Sequence, residues 1–259
     1  MRFRSTLLAI LLLIVLFSFP YGPLFPWSPI KPGYSRLRLK RADLFYTGTL
    51  DPAYLKVDDY ITELERTFRI PMEKKVKVIA LANWNDKERF CPWAGGRLAG
   101  GVTLDFGTVV FITPRIRERH LDTAEFLRHE LTHAITGQNI TLWKMQRLKQ
   151  IHWLTEGVPV WFGHQQAYMN EQEFHAKALQ TDLVPVIDPS GPWPQSDMRF
   201  AYIAWRDFIQ YLINQRGLDR FREFYLAILQ DPARHNQFFE DSYGAPLPEM
   251  VRRFQATLR

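Results

Sequence analysis

The stretch His129-Glu130-Leu131-Thr132-His133 constrains this chain more than any other. On a helix, residues four apart lie on one face, one turn above each other. Two imidazoles at that spacing reach a single metal ion, and Glu130 beside the first reaches a water at that ion. With 7 His in 259 residues, an accidental HExxH is rare. The flanking residues also ask for a helix. Asp122 with Glu125 three positions on is a capping box. Phe126, Leu127, Leu131, Ala134 and Ile135 then repeat with helical period. The His pair is therefore expected on a helix whose opposite face packs.

A catalytic zinc site holds three protein ligands and one open position. Downstream lies Trp153-Leu154-Thr155-Glu156-Gly157. With HExxH before it, W-L-T-E-G resembles the W-L-x-E-G segment of gluzincins, the aminopeptidase-N-like and peptidase-MA-like zinc metallopeptidases. The resemblance implies Zn²⁺ held by His129, His133 and Glu156, with Glu130 as general base. The extended metzincin motif is absent, because Thr136 and Asn139 stand where its Gly and His belong.

This chain departs from the family pattern in places. The gap from His133 to Glu156 is longer than is usual in aminopeptidases and carries Lys144, Arg147 and Lys149. Val158-Pro159-Val160-Trp161 stands where the family often has small-Ala-acidic-aromatic. Pro159 needs a place near a helix start, so a helix is expected to begin around Thr155 as its N-cap. Val160 replaces a frequent acid that orients metal ligands.

The segment from Tyr202 to Gly217 is similar to a peptidase-MA-like helix opened by a tyrosine. The likeness spans about residues 75–257 and implies Tyr202 as a phenol that donates to the oxyanion. The other reading of Tyr202 is an amphipathic core residue. Tyr168 and His164 are the alternatives near the site, although a His such as His164 more often caps or packs.

Ala94 to Gly101 is glycine-rich, with Gly95, Gly96, Gly100 and Gly101. It reads as a flexible hairpin, or as a loop beside an edge strand that holds substrate backbone. The resemblance implies the second, with Gly100 and Gly101 as substrate-binding positions. The G-K-[ST] ending of a phosphate loop is absent.

Further elements follow from periodicity. Leu37 to Phe45, Lys75 to Ala82 and Thr108 to Thr113 read as strands. Asp51 to Phe68 has helical spacing at Tyr54, Val57, Ile61, Leu64 and Phe68. Past Glu156 the pattern is helical, through Ala201–Leu212, Phe221–Leu229 and Phe238–Phe254. The expected fold is α+β and zincin-like. A small mixed β-sheet and the HExxH helix come first, and a mostly α-helical C-terminal half carries Glu156 and Tyr202.

The chain opens with Met1-Arg2-Phe3-Arg4 and an apolar run from Leu7 to Phe19. That run spans only about 20 Å as a helix, short of a ~30 Å hydrocarbon core. Adding Tyr21 to Trp27 gives enough length, and no A-x-A-like cleavage site follows. Residues 1–35 are expected to be an uncleaved signal anchor and tether, and 36–259 the metallopeptidase domain. Arg2 and Arg4 hold the N-terminus in the cytoplasm, while Lys31, Arg36, Arg38, Lys40 and Arg41 pull the other way. The domain is expected outside the cytoplasm.

Net charge is +6 without a basic stripe or a recognisable module, so nucleic acid is not an expected partner, whereas anionic lipid is. Hydrophobic content of 46% argues against disorder. Cys91, the one cysteine, reads as a small packed hydrophobe.

The function expected is a membrane-anchored, zinc-dependent metallopeptidase acting on peptide or protein substrates. The alternatives are a catalytically silent peptidase-like binding module at the membrane, and a structural membrane protein with an accidental HExxH. The intact Glu130 argues against a pure binder, which has no need of a base.

Overall fold

The computed structural model describes residues 12–13, 17, 19–92, 96, 99–104, 107–166, 168–187 and 197–258. Most of the expected anchor, and Ala94 and Gly95 of the glycine-rich stretch, lie outside them.

Five strands build one sheet: Ser35–Arg38 (β1), Ala42–Tyr46 (β2), Val76–Ala80 (β3), Gly101–Thr103 (β4) and Val109–Ile112 (β5). Their order is β1-β2-β3-β5-β4. The inner pairs β2–β3 and β3–β5 are parallel, and both edge strands run antiparallel to their neighbours. Leu44 pairs with Val78, and Val78 with Val110, so these side chains share one face. Phe45, Ile79, Val109 and Phe111 fall on the other. Successive strand residues point to opposite faces, so the apolar run of β5 and the Val78–Ala80 run of β3 mean that both faces are covered there.

The first face packs on Val57–Phe68 (α1) and on Thr123–Gln138, the HExxH helix. The second is covered by Trp84–Phe90 (α2) and by the segment around Phe25. Phe25 is fully buried and stacks on Phe90 with ring centroids 3.7 Å apart. Lys31 closes over it, its Nζ donating to the carbonyls of Phe25 at 2.5 Å and Ser28 at 3.1 Å. Tyr21–Trp27, expected to lengthen the anchor, therefore does not extend a spanning helix: its 3₁₀ turn Phe25–Trp27 buries Phe25 and Pro26 in the domain core. Cys91, 1% exposed, packs in the same cluster.

Other expectations are refined by local chemistry. The run from Leu37 to Phe45 is two strands, β1 and β2. The Asp58 carboxylate accepts the N–H groups of Lys40 and Arg41 at their turn. The helix expected from Asp51 opens with a 3₁₀ turn, Pro52–Lys56, because Asp51 caps Ala53 there before α1 begins. The α2 helix, capped by Asn83, was not visible as a periodic segment.

The rest is helical: Arg115–Glu118 (α3), Thr123–Gln138 (α4), Leu142–Leu148 (α5), His152–Thr155 (α6), Gly157–Phe162 (α7), Glu171–Gln180 (α8), Val184–Ile187 (α9), Met198–Gln230 (α10), His235–Tyr243 (α11) and Leu247–Thr257 (α12). The fold is α+β, as the sequence pattern predicts. α10 is two arms that meet at Gly217, whose φ of 82° and ψ of 159° suit glycine alone. Trp153 packs against Phe208, Phe224 and Phe239 and ties the motif region to the helical half. Among the described residues, no helix is long and apolar enough to cross a membrane.

Candidate metal centre

α4 starts as its capping residue requires, with the Asp122 carboxylate accepting the N–H of Ala124 at 2.8 Å. Leu127, Leu131, Ala134 and Ile135 are at most 1% exposed and hold one face of α4 in the core. The other face presents His129, Glu130 and His133 to a cavity of about 410 Å³. Val102, Leu104, Met145, Leu148, Lys149 and Tyr225 are among the residues that complete its wall.

Glu156 reaches the same cavity from the junction of α6 and α7. Its backbone is helical (φ −103°, ψ −38°), so the two short helices join through it. Thr155 therefore does not cap a new helix. Its hydroxyl lies 3.2 Å from the Ile151 carbonyl and belongs to the turn before. Gly157 is what seats this junction. A Cβ there would stand 2.8 Å from Ile209 Cδ1 and 2.9 Å from Trp205 Cβ, so only glycine lets α7 lie this close to α10.

The structure brings the three expected ligands together. His129 Nε2 and His133 Nε2 are 3.1 Å apart, and each is 3.6 Å from Glu156 Oε2. Donors bound at about 2.0–2.1 Å around a tetrahedral ion stand about 3.3 Å apart, so this triangle has the size and chemistry that Zn²⁺ takes. The electrostatics agree. Burial alone would raise the Glu156 carboxyl, but the two imidazoles outweigh it and hold the group well below the ordinary carboxylate range. Burial would lower His133, and Glu156 and Glu130 reverse that and raise it. Both directions come from the same His–Glu contacts, and they describe a group of ligand atoms that could hold a cation.

Glu130 is 4% exposed and stands outside the triangle. Thr103 of β4 holds it, its hydroxyl donating to Glu130 Oε2 at 2.6 Å. Gly101 permits that approach, because a Cβ there would fall 2.5 Å from Glu130 Cγ and 2.6 Å from its Oε1. At Gly100 a Cβ would fall 2.2 Å from the Phe126 ring. Both glycines thus sit where the edge strand presses on α4, while their strand neighbours Val102, Thr103 and Leu104 line the cavity.

Tyr202, near the head of α10, donates to Glu156 Oε2 at 3.2 Å. Burial and the neighbouring Glu156 raise its phenol, so it stays a donor. It stacks on Tyr168 with centroids 4.8 Å apart. His164 is exposed, has a left-handed backbone (φ 54°), and lines a different cavity with Arg206 and Gln210. The structure does not bring it to the triangle.

Sequence reasoning missed Thr103 and Gln165. Gln165 is fully buried, with Oε1 2.8 Å from His129 Nδ1. A Thr two positions past a glycine pair and the first Gln of Gln165-Gln166 in a loop carry no signal in one sequence. Only the packing of β4 and of the turn after α7 against α4 gives them a partner. The sequence matches no protein-family model and no curated protein.

Proposed function

We propose that the chain is a zinc metallopeptidase of the gluzincin type, held at a membrane by its N-terminal segment, with its domain outside the cytoplasm. The observation that carries the reading is the His129–His133–Glu156 triangle beside an independently held carboxylate, Glu130. Zn²⁺ in that triangle supplies a Lewis acid that polarises a carbonyl and acidifies water.

The chain's own residues do the rest. Glu130 takes the proton of the attacking water and delivers it to the leaving amine. Thr103 donates to Oε2 of that carboxylate and holds it in place. Tyr202 donates a hydrogen bond to the oxyanion, with its proton secure because its phenol is raised. The β4 edge, unpaired on its outer side within the described sheet, offers backbone groups to an extended peptide. Apolar Val102, Leu104, Met145 and Leu148 exclude water from the bound segment.

The test is hydrolysis of a quenched peptide library by the purified chain with Zn²⁺, and by Glu130→Gln. The reading predicts cleavage by the first and none by the second, with equal zinc content. Equal cleavage by both would refute it. Binding without cleavage by either would mark a silent module. The membrane part predicts that the chain sediments with membranes and that its N-terminal sequence starts at Met1.

A further inference from the structure

Val160 leaves His129 without the acidic neighbour that commonly orients a zinc-bound imidazole, yet His129 is not without a partner. Gln165 comes from the turn after α7 and meets the ring from behind, its Oε1 2.8 Å from Nδ1. Three features build that contact. At Gly163, a Cβ would lie 2.8 Å from the Glu125 carbonyl of α4 and 2.9 Å from the Pro159 carbonyl, so only glycine lets the turn close this tightly. The Gln165 backbone is then held on both sides, its N–H donating to Val160 O at 3.2 Å and its carbonyl accepting from Arg206 at 3.0 Å. Its amide oxygen also accepts the Tyr168 hydroxyl at 3.1 Å, so the ring contact and the phenol contact fall on the same oxygen.

We propose that Gln165 is the positioning residue of the metal centre, an acceptor that keeps the proton of His129 on Nδ1 and leaves Nε2 open for the metal. This rests on the metallopeptidase reading above. An imidazole with a proton on Nε2 cannot bind a metal there, so the partner of Nδ1 decides whether the ring is ready. A glutamine turned the other way would donate to Nδ1 and leave Nε2 protonated. In this structure the oxygen faces inward, and Gln165 Nε2 is buried with no hydrogen-bond partner among the described residues. Tyr168 acts through Gln165 and is a positioning residue one step further out. The role that family likeness gives to an acid four residues after the glutamate ligand is filled here by a neutral amide nine residues after it.

The experiment measures Zn²⁺ affinity of the full chain in detergent by competition with a chromogenic chelator, with unfolding of the zinc-free proteins as the fold control. Gln165→Leu combined with Tyr168→Phe removes the acceptor and leaves no orphaned hydroxyl. Zinc should bind about 10–100-fold more weakly, the usual loss for an outer partner of a ligand. Gln165→Glu, the same shape with an acceptor at either oxygen, should stay within a few-fold of wild type. ¹⁵N spectra of zinc-free wild type should show His129 protonated at Nδ1. Unchanged affinity in the double variant overturns the proposal, as does equal weakening by Leu and Glu, or a His129 proton found on Nε2. A wild type that binds no zinc overturns the metallopeptidase reading and this inference with it, whereas zinc binding indifferent to residue 165 sinks the inference alone.

Discussion

Thr103 Oγ1 lies 2.6 Å from Glu130 Oε2, so the edge strand of the sheet holds the carboxylate of the HExxH helix. This contact couples the two layers of the fold at the point where chemistry is expected. A hydrogen bond to a charged group is worth about 1.5–3 kcal/mol. Thr103→Val, which keeps the shape, should lower kcat by about 10-fold or more while zinc content stays unchanged. Thr103→Ser should recover most of the loss. A Val variant with normal kcat would detach β4 from the mechanism.

Tyr202 tests how the phenol is used. If it donates to the oxyanion, Tyr202→Phe should keep zinc and fold, and turnover should drop by roughly 10²–10³-fold. Its bond to Glu156 Oε2 supports a second use, orientation of the third ligand. That use predicts weaker zinc binding with kcat per bound zinc nearly intact. Titration of zinc and single-turnover rates on one preparation separate the two.

Lys31 gives a pH dependence away from the metal. Burial, with Lys77 and Arg36 nearby, pulls its ammonium down from 10.5 to about 7. Between those values the unfolded chain carries a proton that the folded chain has released, so stability should rise with pH through that window. Below pH 7 both states are protonated and the penalty for burying the charge is fully present. The urea midpoint of wild type should therefore climb between pH 7 and 9.5 more steeply than that of Lys31→Met. Parallel slopes would mean that Lys31 keeps its proton when folded.

Much of the site was legible because its spacing is local. His129 and His133 need only a helix, and Asp122 and the Leu127–Ile135 stripe announce one. Glu156 was legible through the residues flanking it. What stayed hidden depends on contacts between distant segments. Phe25 reads from sequence as part of the anchor and tether because its partner, Phe90, is 65 positions away and on a helix without clear periodicity. Thr155 looked like a cap because Pro159 suggested a fresh helix start, yet the turn from His152 simply continues through Glu156. The glycines at 100 and 101 read from sequence as a flexible hairpin or a substrate-holding loop, and the structure adds a steric reason, their close approach to Phe126 and Glu130. Gln165 was out of reach, since only the closure of Gly163 onto α4 brings it to His129.

His129, His133 and Glu156 are proposed to hold one zinc ion, and metal stoichiometry tests this most directly. The full chain, purified without chelator and analysed by elemental mass spectrometry, should carry about one Zn²⁺ per chain, as a three-ligand catalytic site does. His133→Ala and Glu156→Ala should each lose most of it while remaining folded. A metal-free wild type, or a Glu156→Ala protein with undiminished zinc, would contradict the account.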